Sequence, residues 1–478
     1  MPDQKHTTIV EENGQGNGKQ DDWEKEVVPR LPAYLEEQAK KLKAFERSRE
    51  ISSATDLLRG LLAYVYTAHS FQQLSMWSLL IGLADVSAND WRKRLQKASA
   101  WLDWLLEEVL ANAGVLSPWL ARAGVRRIYL IDGTHWKCLG PKGMVWRVHT
   151  AFDLLAGRLS QLKVTDQSVG EHLEIFELQE GDLVVTDRAN GLRERIVWVK
   201  EQLAHIIVRF SPHNLPLEDE QAKPIDVVGW LKGRRAKAGQ VCSREVWVNH
   251  KGKRVSARCI GLRLSQEQRQ KAERRTKRAA SKKQYRVRPE TLYVAGWVLL
   301  ITTLPKEHWS DLHVLRLYQA RWHIELLFKR IKQLLKRQSL RCKTAATAKP
   351  TLTLLLLGWA LVEQESAAIR LAMRDALHCA QLLKLGKPLS RAELEASWWQ
   401  DDLDVTLSEW ILAEACFDLL CQQIRGSYTA ERFRACLPRL QRFLGSGHRK
   451  RPHLYTQVCH WLGVPAARPE DGDRAMIA

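Results

Sequence analysis

The sequence predicts an α/β protein: a mixed sheet core with a β-rich insertion, flanked by helical regions at both ends. Three observations predict it. Short β-branched runs, RRIYLID, VWRVHTAFDLL, RLSQLKVTD, DLVVTD and HIIVRF, follow one another from Arg126, each punctuated by glycine or polar residues. EHLEIFEL and GLRERIVWVKEQL between them carry helical periodicity. The stretches before residue 122 and from 350 to 465 read as helix, the latter interrupted by polar linkers near 386–391 and 445–452.

Residues 1–30, with ENGQGNGKQDD, are polar and glycine-rich and predict a disordered tail. Residues 31–122 predict a helical N-terminal DNA-binding domain. There SFQQLSMWSLLIGLADVSANDWRKRLQKASAWLDWLLEEVL reads as one helix, a short turn near Asp85–Asn89 and a second, amphipathic helix. That pattern suits a helix-turn-helix with Arg92, Lys93, Arg94 and Lys97 facing DNA, or an ordinary helical hairpin with a basic solvent face. The charge of the whole chain favours the first.

Residues 123–211 begin the core: three meandering strands, then strand, helix and strand. Residues 212–292 interrupt it. SREVWVNHKGKRVSARCIGLRL predicts a β-hairpin with Lys251-Gly252 at its tip. The run that follows holds ten basic residues to one acid between Arg269 and Arg288, and we expect it to contact a phosphate backbone because nothing nearby in the chain neutralises it. LYVAGWVLLITTLP resumes the core over 293–345, and 346–478 is helical. Its apolar run TLTLLLLGWALV, at 351–362, is too short to span a bilayer and reads as a buried helix.

A chain of 478 residues is long enough for a large core and two to four domains. Lys and Arg number 74 against 54 Asp and Glu, a formal charge of +20 with a pI near 9.6, which points to a polyanionic partner and first to nucleic acid. Membrane binding is the weaker reading, and MPDQKHTT lacks the order of a signal peptide. Nine cysteines are scattered without a CxxC pair or zinc-ligand spacing, so reduced thiols in a cytoplasmic protein are expected. The nineteen tryptophans, spread along the chain, read mostly as core.

The segment YQARWHIELLFKRIK, 318–332, carries the sharpest pattern. At about 100° per residue, Tyr318, Arg321, Glu325 and Lys332 fall in one narrow stripe of a helix, and Ile324, Leu327, Ile331 and Leu334 in a separate apolar one. The polar stripe is either a solvated face, with Glu325 paired to Arg321 or Lys329 for a few tenths of a kcal/mol, or a site that handles phosphate. Two strand-end acids offer partners for Glu325: Asp132, closing IYLID, and Asp187, closing LVVTD ahead of Arg188-Ala-Asn-Gly. Two adjacent strands with a helix packed across them would bring three carboxylates to one spot, a hard-oxygen site for Mg²⁺. A metal pair about 3.5–4 Å apart suits phosphoryl transfer. Asp153 and Asp166 also end strand-like runs, so a strand-end aspartate alone reads as a turn former.

Tyr318-x2-Arg321-x3-Glu325-x6-Lys332, preceded by IDGT around Asp132 and VVTDRANG around Asp187, resembles the Tyr-Arg-Glu-Lys signature of the insertion-sequence-four family of bacterial DDE transposases, over roughly 126–345. The resemblance implies a ribonuclease H-like core with a β-rich insertion between the second Asp and the Glu. It implies that Asp132, Asp187 and Glu325 hold two Mg²⁺ ions, with Mn²⁺ as a substitute. Tyr318, Arg321 and Lys332 would hold phosphates of the transposon end, Arg209 resembles a further phosphate-binding arginine, and Arg188 would face the DNA. Trp297 stands where a flipped base would stack, although a strand tryptophan in the core fits its sequence equally well. The implied activity is cut-and-paste transposition: nicking, a hairpin intermediate and strand transfer on double-stranded DNA, ends and target alike. A homodimer in the end complex is implied too, and we place its contact on the C-terminal helices. The setting expected is the bacterial cytoplasm, at the nucleoid when bound. Two rivals are a ribonuclease H-fold nuclease without strand transfer and a catalytically silent, domesticated DNA-binding protein.

Overall fold

The apolar period changes along the chain, and the layers follow that change. The computed structural model describes residues 22–68, 70–111, 124–138, 144–154, 158–334, 339–340, 342, 344–385 and 409–427, with isolated positions between 432 and 439. Most of the predicted tail, both predicted linkers and much of the C-terminal region lie outside the described residues.

The N-terminal helices are α1 (Leu35–Lys41), α2 (Ala54–Ala63), α3 (Phe71–Leu80), α4 (Ala88–Lys97) and α5 (Ser99–Ala111). Ser53, Ser70 and Ser87 start α2, α3 and α4, each side chain accepting the backbone N–H three residues on. The expected second helix is therefore two, divided at Ala98. Arg92, Lys93 and Lys97 are exposed on α4, with Arg94 half-buried, while Trp23, Trp91 and Trp101 are wholly buried.

The core follows: β1 (Arg127–Cys138), β2 (Val145–Asp153), β3 (Arg158–Asp166), β4 (Asp182–Thr186), α6 (Arg193–Glu201), β5 (His205–Arg209), α7 (Val227–Gly233), β6 (Val241–His250), β7 (Lys253–Arg263), α8 (Gln266–Lys282), α9 (Pro289–Ala295), β8 (Trp297–Thr302), α10 (Asp311–Ala320), α11 (Trp322–Leu334) and β9 (Ser339–Leu340). They form one nine-stranded mixed sheet in the order β3-β2-β1-β4-β5-β8-β7-β6, with β9 on β1. The predicted hairpin, with Lys251 and Gly252 at its tip, is β6–β7, and it extends the core sheet through β8. The basic run that follows is a helix, α8, started by a capping box between Ser265 and Gln268.

Alternate residues of the central strands face opposite ways, and both faces are covered. Tyr129, Ile131, Val184 and Ile206 pack with Ile196, Val197 and Val199 of α6. Ile128, Leu130, Val185 and Ile207 pack with Val314, Leu315, Ile324 and Phe328 of α10 and α11. The segment read as one signature helix is two, with Arg321 at the junction.

The last described helices are α12 (Ala345–Leu385) and α13 (Glu409–Arg425). Every residue from 351 to 362 is buried, as the apolar run predicted. The helix is longer than that run: Ala345–Ile369 meets the length and hydropathy of a membrane span, yet 83% of its apolar window is buried within the protein, against the N-terminal helices and the outer strands β2 and β3. Gly358 lets α12 approach Tyr66, whose hydroxyl donates to the Leu355 carbonyl at 2.6 Å. A Cβ on Gly358 would lie 2.3 Å from the Tyr66 Oη and 2.4–2.5 Å from its ring. Gly358→Ala is expected to cost about 1–3 kcal/mol by overpacking. Denaturant unfolding measures it, and an unchanged midpoint would mean that Tyr66 swings aside freely.

Candidate active site

Strand pairing places the first two acids. β1 runs parallel to β4 with Ile131 opposite Thr186, so Asp132 and Asp187 are the next residues on neighbouring strands. β4 runs parallel to β5 with Thr186 opposite Val208, which puts Arg209 beside Asp187 on the same edge. This is the carboxyl edge of parallel strands, where an open sheet presents its ligands.

The turn after Asp187 is rigid for identifiable reasons. Asp187 Oδ1 accepts the Ala189 N–H at 2.9 Å, and Asn190 Nδ2 donates to Thr186 Oγ1 at 2.7 Å. Arg195 of α6 donates to the Asn190 side-chain oxygen. Gly191 ends the turn because a Cβ there would lie 2.5 Å from the Arg209 carbonyl oxygen. The Asp-Arg-Ala-Asn-Gly run is therefore a fixed platform, with Arg188 on its exposed side.

Glu325 arrives from the face covered by α10 and α11, where Ile324 and Phe328 anchor the helix to the sheet. Between the acids stands Arg321. Its Nη1 lies 3.6 Å from Asp132 Oδ2, and its Nη2 donates to Glu325 Oε1 at 2.6 Å. The guanidinium thus bridges one acid of the sheet and the acid of the helix. Burial pulls its pKa down, but the bond to Glu325 and the charges of Tyr318, Glu325 and Asp132 leave it above the ordinary arginine value. Among the described residues no three His, Cys, Asp or Glu side chains are close enough to hold a metal ion. The expected three-carboxylate cluster is thus drawn as an aspartate pair with Glu325 tied to Arg321.

Burial dominates the electrostatics of the site. Burial pushes the Asp132 carboxyl up to about 6, helped by the charges of Asp187 and Glu171 and opposed by the Gly133 N–H and Arg321. Burial likewise lowers the Arg209 pKa, with Tyr318 opposing and the charges of Arg188 and Arg321 adding to it. Burial raises the Tyr318 phenol against the pull of Arg321 and Arg209. Tyr318, Arg188, Arg209 and Arg321 thus surround Asp187 and Asp132. Lys332 sits farther along β1, donating to Thr134 Oγ1 at 2.6 Å with its ammonium 5.3 Å from the Trp136 ring centroid.

Trp297 is not at this site. It is 2% exposed in the core, covered by Arg263, whose guanidinium lies 5.2 Å from its ring centroid. Burial corrects the expectation of a stacking surface there: the outward-facing indole beside Arg321 is Trp322, 58% exposed. Trp322 went unselected because its position on the apolar-polar boundary carries no distinguishing period. Thr134 and Trp136 also went unselected, although alternation, which puts both on Asp132's face of β1, was the signal that could have found them. Glu171 had no signal; its Oε1 lies 3.5 Å from where a Gly133 Cβ would be, a contact made by a loop.

The family described as Transposase DDE domain matches residues 123–361, half of the chain. The chain belongs to the DDE transposases of bacterial insertion sequences. Over 338 residues it is 30% identical to the putative transposase InsL for insertion sequence element IS186A of Escherichia coli strain K12, covering 70% of this chain and 90% of that relative. Over 339 residues it is 30% identical to the transposase for insertion sequence element IS421 of Escherichia coli, with the same coverage. The matched span starts just before β1 and ends inside α12, so it takes in the sheet, the insertion and both signature helices. The transposase is a DNA-cleaving phosphoryl-transfer enzyme with a ribonuclease H-like core, and its family uses divalent metal. Asp132 and Asp187 fit such a metal: they offer hard oxygens side by side on one strand edge.

The folded-state pKa of Asp132 lies above its unfolded value, so its ionised form is disfavoured by folding. In chelator, Asp132→Asn is expected to raise stability by on the order of 1–3 kcal/mol above pH ~6, the gain fading to nothing as pH falls to about 4. Thermal melts across that window measure it, and a gain independent of pH would refute the assigned titration.

Proposed function

We propose that this transposase, read as a member of the insertion-sequence-four family, binds the ends of its own element and performs Mg²⁺-dependent cleavage and strand transfer, with Mn²⁺ able to substitute. The observation that carries the reading is the parallel pairing that sets Asp132 and Asp187 side by side, facing a helix that delivers Glu325 within a ring of phosphate-seeking cations. The rival of a catalytically silent DNA-binding protein leaves this half-buried acid pair without a purpose.

In the proposed reaction a water oxygen attacks the phosphorus at the element's end, and the bond to the 3′ oxygen breaks. That oxygen leaves with a proton as a free 3′-OH, which then attacks a second phosphate. Two divalent ions held by Asp132, Asp187 and Glu325 would activate the attacking oxygen and stabilise the leaving one. Arg321, Arg209 and Lys332 hold phosphate oxygens by charge, Tyr318 through its hydroxyl, and Arg188 from the exposed side of the turn. Arg321 has a second task. Its release of Asp132 and Glu325 to an incoming phosphate frees both carboxylates when the substrate is in place. The rest of the contribution is positioning and electrostatic stabilisation on a rigid strand edge. The reading further places two protomers on two ends, DNA contacts on α4, and action in the cytoplasm at the nucleoid.

Asp132→Ala, Asp187→Ala and Glu325→Ala are each expected to lower nicking of a duplex bearing the terminal repeat by at least ~10²-fold while end binding survives. Gel assays in Mg²⁺ and in Mn²⁺ measure both, and near-normal nicking by any of the three removes that residue from the metal site.

A hairpin step needs an exposed aromatic for the displaced base, and the geometry favours Trp322. Trp322→Ala is expected to reduce hairpin product on denaturing gels without loss of stability. Trp297→Ala is expected instead to cost about 3–5 kcal/mol as a core truncation. Normal hairpin yield in a well-folded Trp322→Ala protein would remove that assignment.

A further inference from the structure

We propose that α8 is a second DNA-binding element that grips the duplex carrying the scissile phosphate, across one groove from the active site. The proposal rests on the transposase reading above and adds to it a place and a set of residues.

Position comes from strand register. β8 runs antiparallel to β5 with Leu300 opposite Arg209, and β7 pairs with β8 so that Arg263 lies opposite Trp297. The end of β7 and the start of β8 therefore lie on the same edge of the sheet as Asp187 and Arg209. They run on past Arg209 by three residues, roughly 10 Å at about 3.3 Å per residue. From β4 to β7 is three strand spacings, a lateral offset of about 14 Å. α8 begins there, two residues after β7, so its base overhangs the edge that bears the catalytic acids.

The face it presents comes from helical spacing. Ala272, Glu273, Thr276 and Ala280 are the more buried residues of α8, toward the neighbouring α9. At about 100° per residue, Lys271, Arg275, Arg278 and Lys282 fall within roughly 60° of one another on the opposite side. All four are exposed, and among the described residues none of them is in an ion pair. The stripe is about 16 Å long at 1.5 Å rise per residue. Among the described residues the ion pair of this helix is Arg269 with Glu273 at 2.7 Å, and it lies off this stripe.

A row of unneutralised cations with no apolar residue among them matches a phosphate backbone. Its distance from the acids decides which duplex. A major groove is about 12 Å wide, so a duplex with a phosphate at Asp132 and Asp187 would bring the strand across that groove near the base of α8.

The experiment compares the full-length protein with a variant carrying Lys271→Gln, Arg275→Gln, Arg278→Gln and Lys282→Gln. The probe is a duplex containing the element's terminal repeat and its natural flank. Four lost phosphate contacts lower the salt slope of log K by about 3.6 and weaken binding by a factor on the order of 10² or more at moderate salt. An unchanged slope and affinity, in a protein with wild-type circular dichroism and nicking of a saturating probe, overturns the proposal and leaves the transposase reading standing. Unchanged end binding with loss of strand transfer into a target plasmid also overturns it, assigning α8 to the target. If the wild-type protein neither binds nor nicks the probe, it is the transposase reading that fails.

Discussion

The parallel register of β1 on β4 is the constraint on which the rest depends. It is held at the far end of the pair by Arg127 and Asp182, which face each other in the ladder. Arg127 Nε and Nη2 donate to the two carboxylate oxygens of the buried Asp182 at 2.8 and 2.9 Å. A bidentate pair has one geometry, and breaking it would leave a buried charge unpaired. Five residues on, the same register delivers Asp132 beside Asp187. A slip of one residue would turn one of the two acids to the opposite face of the sheet.

Two like charges held together by the fold are opposed electrostatically, and the molecule answers with cations instead of separation. Arg321 stands at the junction of α10 and α11, a point where the chain is helical on both sides yet the ladder is interrupted, and reaches both Asp132 and Glu325. The site in this form is neutralised by its own arginine. The same guanidinium has a fork that suits phosphate, so in the proposed reaction one residue would link substrate arrival to exposure of the acids. That is a property of a bridging cation, and a lysine, with its point charge, would span the two carboxylates less well.

The insertion is mechanically part of this arrangement. Arg258 of β7 is 3% exposed, pairs with Asp311 at the first turn of α10 at 3.3 Å and donates to the Trp309 carbonyl at 2.6 Å. Ser243 of β6 donates to the same Asp311 carboxylate at 2.7 Å. The start of the helix that carries Tyr318 is therefore fixed by the inserted hairpin, which also bears the basic arm α8. The arm and the signature helices thus share one support.

Local pattern by itself determined much of this. Alternation in 127–166, the turn residues after Asp187, the tip at Lys251-Gly252 and the apolar run at 351–362 each express short-range preferences that tertiary context did not overrule. The stripe of Tyr318, Arg321, Glu325 and Lys332 was legible because helical spacing is regular enough to survive one interruption. Tertiary structure alone decided which contacts those residues make. Trp297 reads the same in sequence whether it faces DNA or the core, and its place in the core cluster, beneath Arg263 and beside Tyr293, decides it. Glu171 approaches Gly133, next to Asp132, from a loop without periodicity. Arg321 divides its loyalty between two acids because strand register and helix packing, both set by contacts distant in sequence, bring Asp132 within its reach. A one-dimensional pattern records which face a side chain takes; the distance between faces is set by packing.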